Sequence, residues 1–431
     1  QAFFLFTKLD FKSQNSTSFI NLIPIPVSDL GIQVFLNFGF NPYPVFQLFV
    51  YLAETIEKMK DNNTVEIRKR IQSIDAIRGF DMFWISGGDA LFPALFALTN
   101  LPFFTHTLTR QLEHSSWNGF TFYDLIFPLF LFITGLTMPF SIGKRIEKGD
   151  TRQNILKHVA KRTVLLFILG LIYNGLFNFD FINQRYVGVL QRIAISYFLV
   201  SLIYLYSKKM RTQYIWAGAI LIGYYLIIAL VPVPGFGAGN MTMEGNLCGY
   251  IDRLLLPGSF CCYPYGDNEG FLSSITPLVN VMAGLFAGQW ILKAGSDHTR
   301  LIKGLLVAGI ATLATGYLWG FAFPVNKTMW TSTYALVAIG YSLLLFALFY
   351  WIIDVKGFTK WAFPFVVIGL NPITIYVLQG IFDFAIISNI FIHGFIKYLG
   401  SFQAAFSLLC MIGVKWLFLY FLYKQKIFLK V

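Results

Sequence analysis

The chain has 431 residues, of which 56% are hydrophobic, 18% aromatic and only 13% charged. So few charged side chains cannot cover the surface of a water-soluble protein of this length, which excludes that class. The formal charge of +12 does not require nucleic acid, because a basic excess on the face towards anionic lipid explains it. We therefore expect an integral membrane protein in a lipid bilayer, with no nucleic-acid partner.

Long apolar segments, rather than short alternating ones, predict the fold class. A span needs about 20 apolar residues, and its backbone groups must bond internally. The chain is thus expected to be an all-α, polytopic integral membrane helix bundle of 10–11 transmembrane helices. Ten helices are predicted at residues 76–99, 119–142, 162–178, 187–206, 214–231, 271–292, 301–323, 330–353, 361–395 and 402–423.

Two segments leave alternatives open. Residues 1–69 are a poorly defined extension with one candidate helix at about 33–53, which contains Pro42 and Pro44. Residues 70–431 form the bundle, with a loop at about 232–270. The 361–395 segment contains Pro372, so it is either one kinked span with a re-entrant tail or two short spans.

The basic residues orient this bundle. They cluster in six segments, at 58–70, 144–161, 208–211, 300–303, 356–360 and 424–430, and the segments between hold single basic residues. The positive-inside rule predicts that the clusters are cytoplasmic and that His114 and the 232–270 loop are not. In that loop we favour one disulfide, from Cys248 to either Cys261 or Cys262, over metal ligation. No histidine in the loop completes a zinc set, and no metal is expected.

Polar residues inside apolar segments indicate a functional route. Such residues are costly in lipid and normally face a cavity or one another. The candidates are Asp81, Asp89, Asp124, Gln191, Arg192, Asn280, Asn371, Gln379 and Asp383. Asp124 is predicted to lie a turn or two below the non-cytoplasmic surface from His114, and the Gln191–Arg192 pair at a similar depth.

His114 is the candidate catalytic residue. An imidazole at the end of a span can act as a general base or attack an acyl group, and Asp124 could fix its tautomer. In the alternative interpretation His114 caps a helix and Trp117 anchors it at the membrane surface. His106, on the same predicted side, is the main rival.

Dispersed motifs resemble one enzyme family. They are SIDAIRG at 73–79, HSSWNG at 114–119, DLIFP at 124–128, GVLQR at 188–192, PVPG at 232–235, GYIDRLLL at 249–256, EG at 269–270, PVNK at 324–327, DVKG at 354–357 and GLNP at 369–372. Over 70–431 the chain resembles the transmembrane acetyltransferases typified by heparan-alpha-glucosaminide N-acetyltransferase, particularly their bacterial relatives.

The resemblance implies transfer of an acetyl group from cytosolic acetyl-CoA to an amino-sugar or glycan acceptor across a membrane, here expected to be a bacterial inner membrane. The family's catalytic histidine falls on His114 and its carboxylate on Asp124, and Asn118, in the motif of His114, is expected to be a third catalytic residue. Acetyl-CoA is expected to meet residues at four matching positions: Arg78, Gln191, Arg192 and Asn371. A homodimer is left open.

One departure from the family concerns the first conserved helix. The lysosomal enzymes have an asparagine there that assists the histidine, whereas residues 84–89 of this chain contain none. Either Ser86 or Asp89 substitutes, or the assistance is dispensable.

Two other functions remain. O-acetylation of a cell-envelope polysaccharide needs the same base acting on a hydroxyl group. A secondary transporter would also have polar residues near the membrane midplane, although no internal repeat relates the two halves. The sequence does not distinguish direct transfer from an acetyl-histidine intermediate.

Overall fold

The computed structural model describes residues 71–99, 101–207 and 209–429. The extension and its candidate helix at 33–53 lie outside the described residues. The main helices are α1 Gln72–Phe83, α2 Asp89–Phe96, α3 Ile126–Met138, α4 Arg152–Tyr173, α5 Val189–Tyr206, α6 Met210–Leu230, α7 Leu247–Leu255, α8 Pro277–Ala294, α9 His298–Gly320, α10 Ser332–Tyr350, α11 Phe363–Leu370, α12 Pro372–Ile381, α13 Phe384–Ile396 and α14 Gln403–Lys424.

Short helical segments extend or connect these helices. They are Trp84–Gly88, Phe103–Leu108, Thr109–Gln111, Phe122–Leu125, Pro139–Gly143, Lys144–Glu147, Leu176–Asn178, Leu272–Ser274, Trp351–Val355, Lys360–Ala362 and Lys397–Phe402. Two small antiparallel hairpins complete the described structure: β1 Pro232–Val233 with β2 Gly237–Ala238, and β3 Cys262–Tyr263 with β4 Gly266–Asp267.

The all-helical, polytopic prediction is confirmed. In the described part of the chain, 7 helices are long and apolar enough to cross a membrane, or up to 8 if a bent pair is one span. Two further predicted spans are less regular, because α4 carries several basic residues in its first half and α1 is separated from α2 by the turn at Trp84–Gly88. The exact number of ten or eleven crossings therefore stays a prediction.

The predicted 361–395 segment contains three helices, and whether it makes one kinked span with a re-entrant tail or two short spans stays a prediction. Helices α11 and α12 are bent by 62° at Asn371, whose φ of −134° is not helical. Pro372 then starts α12, since proline fits the first turn of a helix but not its interior. Asp383 ends this pair and caps α13 by accepting a hydrogen bond from the Ala385 backbone N–H.

Glycines set the closest helix crossings. A Cβ atom on Gly135 of α3 would lie 1.8 Å from the Val281 carbonyl oxygen of α8, and one on Gly284 would lie 1.8 Å from the Phe132 carbonyl oxygen. Gly79 of α1 and Gly369 of α11 make a second crossing of this kind. Small residues allow such backbone approach in membrane bundles, where dispersion contacts rather than hydrophobic burial hold helices together.

The loop at 232–270 folds around α7 and both hairpins. Fully buried Asp252 accepts hydrogen bonds from the backbone N–H groups of Asp267 (3.2 Å) and Phe271 (2.8 Å). Arg185 binds the Asp267 carboxylate through two bonds of 2.7 and 2.6 Å. The loop is thereby tied to the segment that precedes α5.

The favoured disulfide between Cys248 and the adjacent cysteine pair is wrong. The structure joins Cys261 to Cys262, at the start of the second hairpin, and leaves Cys248 as a free, buried thiol. The Cys248 Sγ lies on the inner side of α7, 3.1 Å from the Tyr224 hydroxyl, and burial raises the pKa of this thiol to about 12. Its position against α6 directs it away from the paired cysteines.

The buried Asp252 gives the loop a pH-dependent stability. Burial raises the pKa of Asp252 from 3.8 to about 6. The folded loop then binds a proton more tightly than the unfolded loop, so its stability falls as pH rises from about 4 to about 6, by roughly 3 kcal/mol. We expect hydrogen exchange of loop peptides, corrected for intrinsic rates, to quicken over that range, and Asp252→Asn to remove this dependence. The same dependence in the variant would contradict the assignment.

Candidate active site

His114 lies in the loop between the Thr109–Gln111 turn and the Phe122–Leu125 turn. Its side chain is 48% exposed, and its Nδ1 atom lies 2.9 Å from Oδ1 of Asp124, whose side chain is fully buried. The structure thus brings together His114 and Asp124, which the sequence analysis predicted at neighbouring depths in the membrane. Asp124 therefore holds Nδ1 of the imidazole, while part of the ring faces solvent.

The helix start at Thr121 explains the position of Asp124. Oδ2 of Asp124 accepts hydrogen bonds from the backbone N–H groups of Thr121 (3.1 Å) and Ser115 (3.2 Å), completing a capping box. Because the backbone satisfies Oδ2, Oδ1 is directed at the imidazole. A carboxylate at Nδ1 assigns the proton to that nitrogen and the lone pair to Nε2.

Lys327 brings a cation to the same imidazole from the loop between α9 and α10. Its Nζ atom lies 2.8 Å from His114 Nδ1, 2.9 Å from Nε2 and 3.5 Å from Asp124 Oδ1. Its side chain is only 13% exposed. Burial lowers the pKa of Lys327 below its usual range, while the negative charge of Asp124 opposes that shift.

Asn118 braces the two loops that carry His114 and Lys327. Asn326 donates a hydrogen bond from Nδ2 to Asn118 Oδ1 (3.1 Å), and the Gly119 N–H donates to the Val325 carbonyl (2.8 Å). Gly119 has a φ of 125°, which favours glycine at this turn. The catalytic role expected for Asn118 stays a prediction, because these contacts join Asn118 to the opposite loop.

Tyr123 contacts the imidazole with its ring. The two ring centroids are 4.7 Å apart at an interplanar angle of 34°. The Tyr123 hydroxyl donates a 2.8 Å hydrogen bond to Oδ2 of Asp89, at the start of α2. The imidazole is therefore in contact with three side chains: Asp124, Lys327 and Tyr123.

Gln191 and Arg192 lie inside the bundle, at the start of α5. The Arg192 guanidinium is 1% exposed, bonds to the hydroxyls of Ser273 (2.6 Å) and Ser274 (3.2 Å), and lies 4.8 Å from the ring centroid of Trp330. Among the described residues, neither Arg192 Nη1 nor Gln191 Nε2 has a hydrogen-bond partner. Trp330 follows Lys327 closely in sequence, so one loop contacts both sites.

Arg78 and Asn371 lie at the α1–α11 crossing. Arg78 Nη1 is 3.3 Å from Asp75 Oδ1 and donates to the Gly369 carbonyl at 3.2 Å. Asn371 bonds through Nδ2 to the Ile427 carbonyl and through Oδ1 to the Leu429 N–H, which fixes the C-terminal segment. Arg78 precedes Asp89 by 11 residues, and the non-helical Gly87 lies between them. The hydrogen bonds described for Arg78 and Asn371 connect them to α11 and to the C-terminal segment, not to His114.

Comparison with known proteins agrees with these motifs. A family model described as a domain of unknown function, DUF5009, matches residues 70–248. The chain is 29% identical over 329 residues to heparan-alpha-glucosaminide N-acetyltransferase of Homo sapiens, and 27% identical over 325 residues to that of Mus musculus. The chain is a distant relative of these two proteins. The alignments cover 63% and 62% of this chain and 49% and 48% of the relatives, so it spans about half their length.

Sequence reasoning missed two residues of the site in this relative of heparan-alpha-glucosaminide N-acetyltransferase. Lys327 was noted in the PVNK motif and as a single basic residue between two basic clusters, and neither it nor Tyr123 was given a role. The sequence feature that could have identified Lys327 as a site residue is that it is the single basic residue between α9 and α10. A lone lysine in a segment otherwise free of basic residues is a candidate for a local function rather than for topology. No comparable sequence signal marks Tyr123.

Proposed function

We propose that this protein transfers an acetyl group from acetyl-CoA to the amine of a glucosamine-type sugar or glycan. One observation carries the proposal: a half-exposed imidazole is bound at Nδ1 by a fully buried carboxylate, in a chain related to two glucosaminide N-acetyltransferases. The names of those relatives suggest an amino-sugar acceptor. The contact between His114 and Asp124 supports His114 as the base.

His114 has two possible roles in this reaction. As a general base, Nε2 removes a proton from the acceptor ammonium, and the amine nitrogen attacks the thioester carbonyl; the C–S bond then breaks and the thiolate takes up a proton. As a carrier, Nε2 attacks the thioester first, CoA leaves as the thiol, and the amine then displaces the imidazole. Both routes give CoA and an N-acetyl sugar.

Lys327 provides positive charge at the reacting centre. In the Nδ1–H tautomer, Nε2 accepts a hydrogen bond from the Lys327 ammonium, at 2.9 Å. An incoming substrate displaces this bond and exposes Nε2. The freed ammonium then stabilises the negative charge that develops on the thioester carbonyl oxygen, and it does so more effectively because it is shielded from water.

The residues expected to hold acetyl-CoA have suitable chemistry. Arg192 Nη1 and Gln191 Nε2 are buried donors without partners among the described residues, and they suit the carbonyl oxygens of the pantetheine arm. Arg78 is proposed to meet the phosphates. Arg78 contacts Asp75 and Gly369 rather than the groups around His114, which suits a donor whose phosphates and thioester are far apart. Asn371 supports this region by holding the C-terminal segment.

The basic segments supply the proposed orientation. We place acetyl-CoA on the cytoplasmic side, and His114 and the 232–270 loop on the opposite side, of a bacterial inner membrane. The acceptor would then reach His114 from outside, and the acetyl group would cross within the bundle.

The direct test is thiol release from acetyl-CoA by the detergent-purified protein, with and without glucosamine, and with the acetylated product identified by mass spectrometry. We expect release that depends on glucosamine and is proportional to N-acetylglucosamine formed. Release with a polysaccharide hydroxyl acceptor alone would assign the protein to O-acetylation. No release with either acceptor, from protein that remains folded, would contradict acetyl transfer.

Lys327→Met is expected to lower kcat by about 100-fold with little change in the KM for acetyl-CoA. The variant keeps a side chain of similar length but removes the charge that stabilises the transition state. Lys327→Arg keeps the charge and should retain more activity. The control is Lys293→Met, which removes an exposed lysine at the end of α8. Equal kcat values for Lys327→Met and the wild type would exclude this role.

A further inference from the structure

A second carboxylate is connected to the active-site imidazole through an aromatic ring. Tyr123 contacts His114 at a centroid distance of 4.7 Å, and its hydroxyl donates to Asp89 Oδ2 at 2.8 Å. This connection does not involve Asp124 or Lys327. Asp89 also falls in the segment where the resemblance identifies an assisting asparagine and this chain has none.

The backbone around Asp89 is strongly constrained. The preceding turn, Trp84–Gly88, contains Gly87 with a φ of 128°, a conformation that favours glycine. Buried Lys415 of α14 donates hydrogen bonds to the Ser86 carbonyl (2.8 Å) and to Gln379 Oε1 (3.3 Å). Asp89 Oδ1 accepts from the Ala90 N–H at 3.0 Å, so Oδ2 is directed to Tyr123.

The two candidates for the missing asparagine are now distinguishable. The Ser86 hydroxyl is buried and has no hydrogen-bond partner among the described residues. Asp89, in contrast, reaches the imidazole through one hydrogen bond and one ring contact. Asp89 is therefore the residue with a physical connection to His114.

We propose that Tyr123 and Asp89 are positioning residues that hold the His114 imidazole in its reactive orientation. The proposal rests on the proposed function. It assigns to Asp89, acting through Tyr123, the place of the asparagine that the resemblance leads us to expect. Once a substrate displaces Lys327 from Nε2, a half-exposed imidazole held by Asp124 at Nδ1 can still swing about that bond. The Tyr123 ring restricts the swing, and the bond to Asp89 fixes the ring. Such restriction increases the fraction of molecules in which Nε2 is aligned for transfer.

The first experiment measures kcat and KM for variants that separate the ring from its hydrogen bond. Tyr123→Phe keeps the ring and Asp89→Ala removes the acceptor; both should lower kcat by about 10-fold at unchanged KM. The double variant should be no worse than either, because both remove the same bond. Asp89→Asn still accepts from the hydroxyl and should stay within about 3-fold of the wild type. Tyr123→Leu, which also removes the ring, should be slower than Tyr123→Phe.

The matched control is Tyr317→Phe, which removes a tyrosine hydroxyl that pairs with the Tyr341 hydroxyl rather than with Asp89. It should keep wild-type kcat. A wild-type kcat for Tyr123→Phe would overturn the proposal. So would equal losses in Asp89→Asn and Asp89→Ala, which would assign the effect to charge or folding rather than to the hydrogen bond.

A second readout does not depend on acetyl transfer. Diethyl pyrocarbonate modifies accessible neutral imidazoles, and peptide mass spectrometry measures its rate at His114 as a function of pH. The titratable groups facing His114 are Asp124, Lys327 and Tyr123, with Asp89 behind Tyr123 and the charge of Glu269 acting on Lys327. We expect Tyr123→Phe to change the His114 modification rate at least 3-fold while His106 is unaffected. An unchanged rate would overturn the positioning role even if the protein proves to have no transferase activity.

Discussion

Replacing His114 with alanine is expected to lower kcat for acetyl transfer by about 10³-fold or more. In the proposed mechanism the imidazole is the base or the nucleophile, and its neighbours are poorly placed to replace it: the side chain of Asp124 is fully buried and that of Lys327 is only 13% exposed. General-base or nucleophilic participation typically contributes 10²–10⁴-fold. Thiol release with glucosamine, measured over the same preparations as the wild type, is the test.

The control for this variant is His106→Ala, which removes an exposed imidazole from the Phe103–Leu108 segment. It should leave kcat unchanged. Added imidazole should partly restore His114→Ala, because the exposed side of the residue leaves a route for a small base. Full activity in His114→Ala would exclude the mechanism, whereas loss in both variants would indicate a general effect on the fold.

Labelled acetyl-CoA distinguishes the two chemical routes. If His114 carries the acetyl group, wild-type protein incubated with labelled acetyl-CoA and no acceptor should acquire one label on the peptide containing His114 and release one equivalent of CoA. If His114 acts only as a base, both substrates must be present before thiol is released.

Asp124→Asn is expected to lower kcat by about 10³-fold with smaller changes in KM. The carboxylate accepts bonds from His114 Nδ1 and from two backbone N–H groups through its two oxygens. An asparagine has one acceptor oxygen, so its amide N–H₂ must face a donor, and the imidazole loses its orientation or its tautomer. Comparable changes at the carboxylate of Ser-His-Asp enzymes cost about 10⁴-fold.

The matched control is Asp297→Asn, at the start of α9, where an asparagine can also accept the capping bond from the Arg300 N–H. Its activity should equal that of the wild type. The Asp124→Asn protein should keep most of its thermal stability, since the capping box retains one acceptor. Wild-type kcat in Asp124→Asn would show that the carboxylate does not orient the base.

Local patterns accounted for the residues that lie close together in sequence. His114 and Asp124 are ten residues apart, and a capping sequence at Thr121 brings them into contact by short-range geometry alone. The same holds for Gln191 and Arg192, which are adjacent at the start of α5. The unbroken helices α5, α6, α8, α9, α10 and α14 were predicted well because apolar length is a property of each segment.

Residues distant in sequence could not be paired in advance. Lys327 contacts His114 across 213 residues, and Arg192 contacts Ser273 across 81. Similarly, Cys248 faces Tyr224 rather than the adjacent cysteines. These contacts depend on how α9, α10 and the 232–270 loop pack, and hydropathy does not specify a partner in a bundle where almost every surface is apolar.

The sequence by itself indicated an α-helical membrane protein similar to the glucosaminide N-acetyltransferases, and it predicted His114 and Asp124 as the central pair of the site. Only the tertiary structure decided that Lys327 and Tyr123 complete the surroundings of His114, that Asn118 braces two loops, and that Arg78 lies apart. The physical reason is that composition and motif spacing act within a segment, whereas the environment of a catalytic group is built from side chains that meet only when the helices pack.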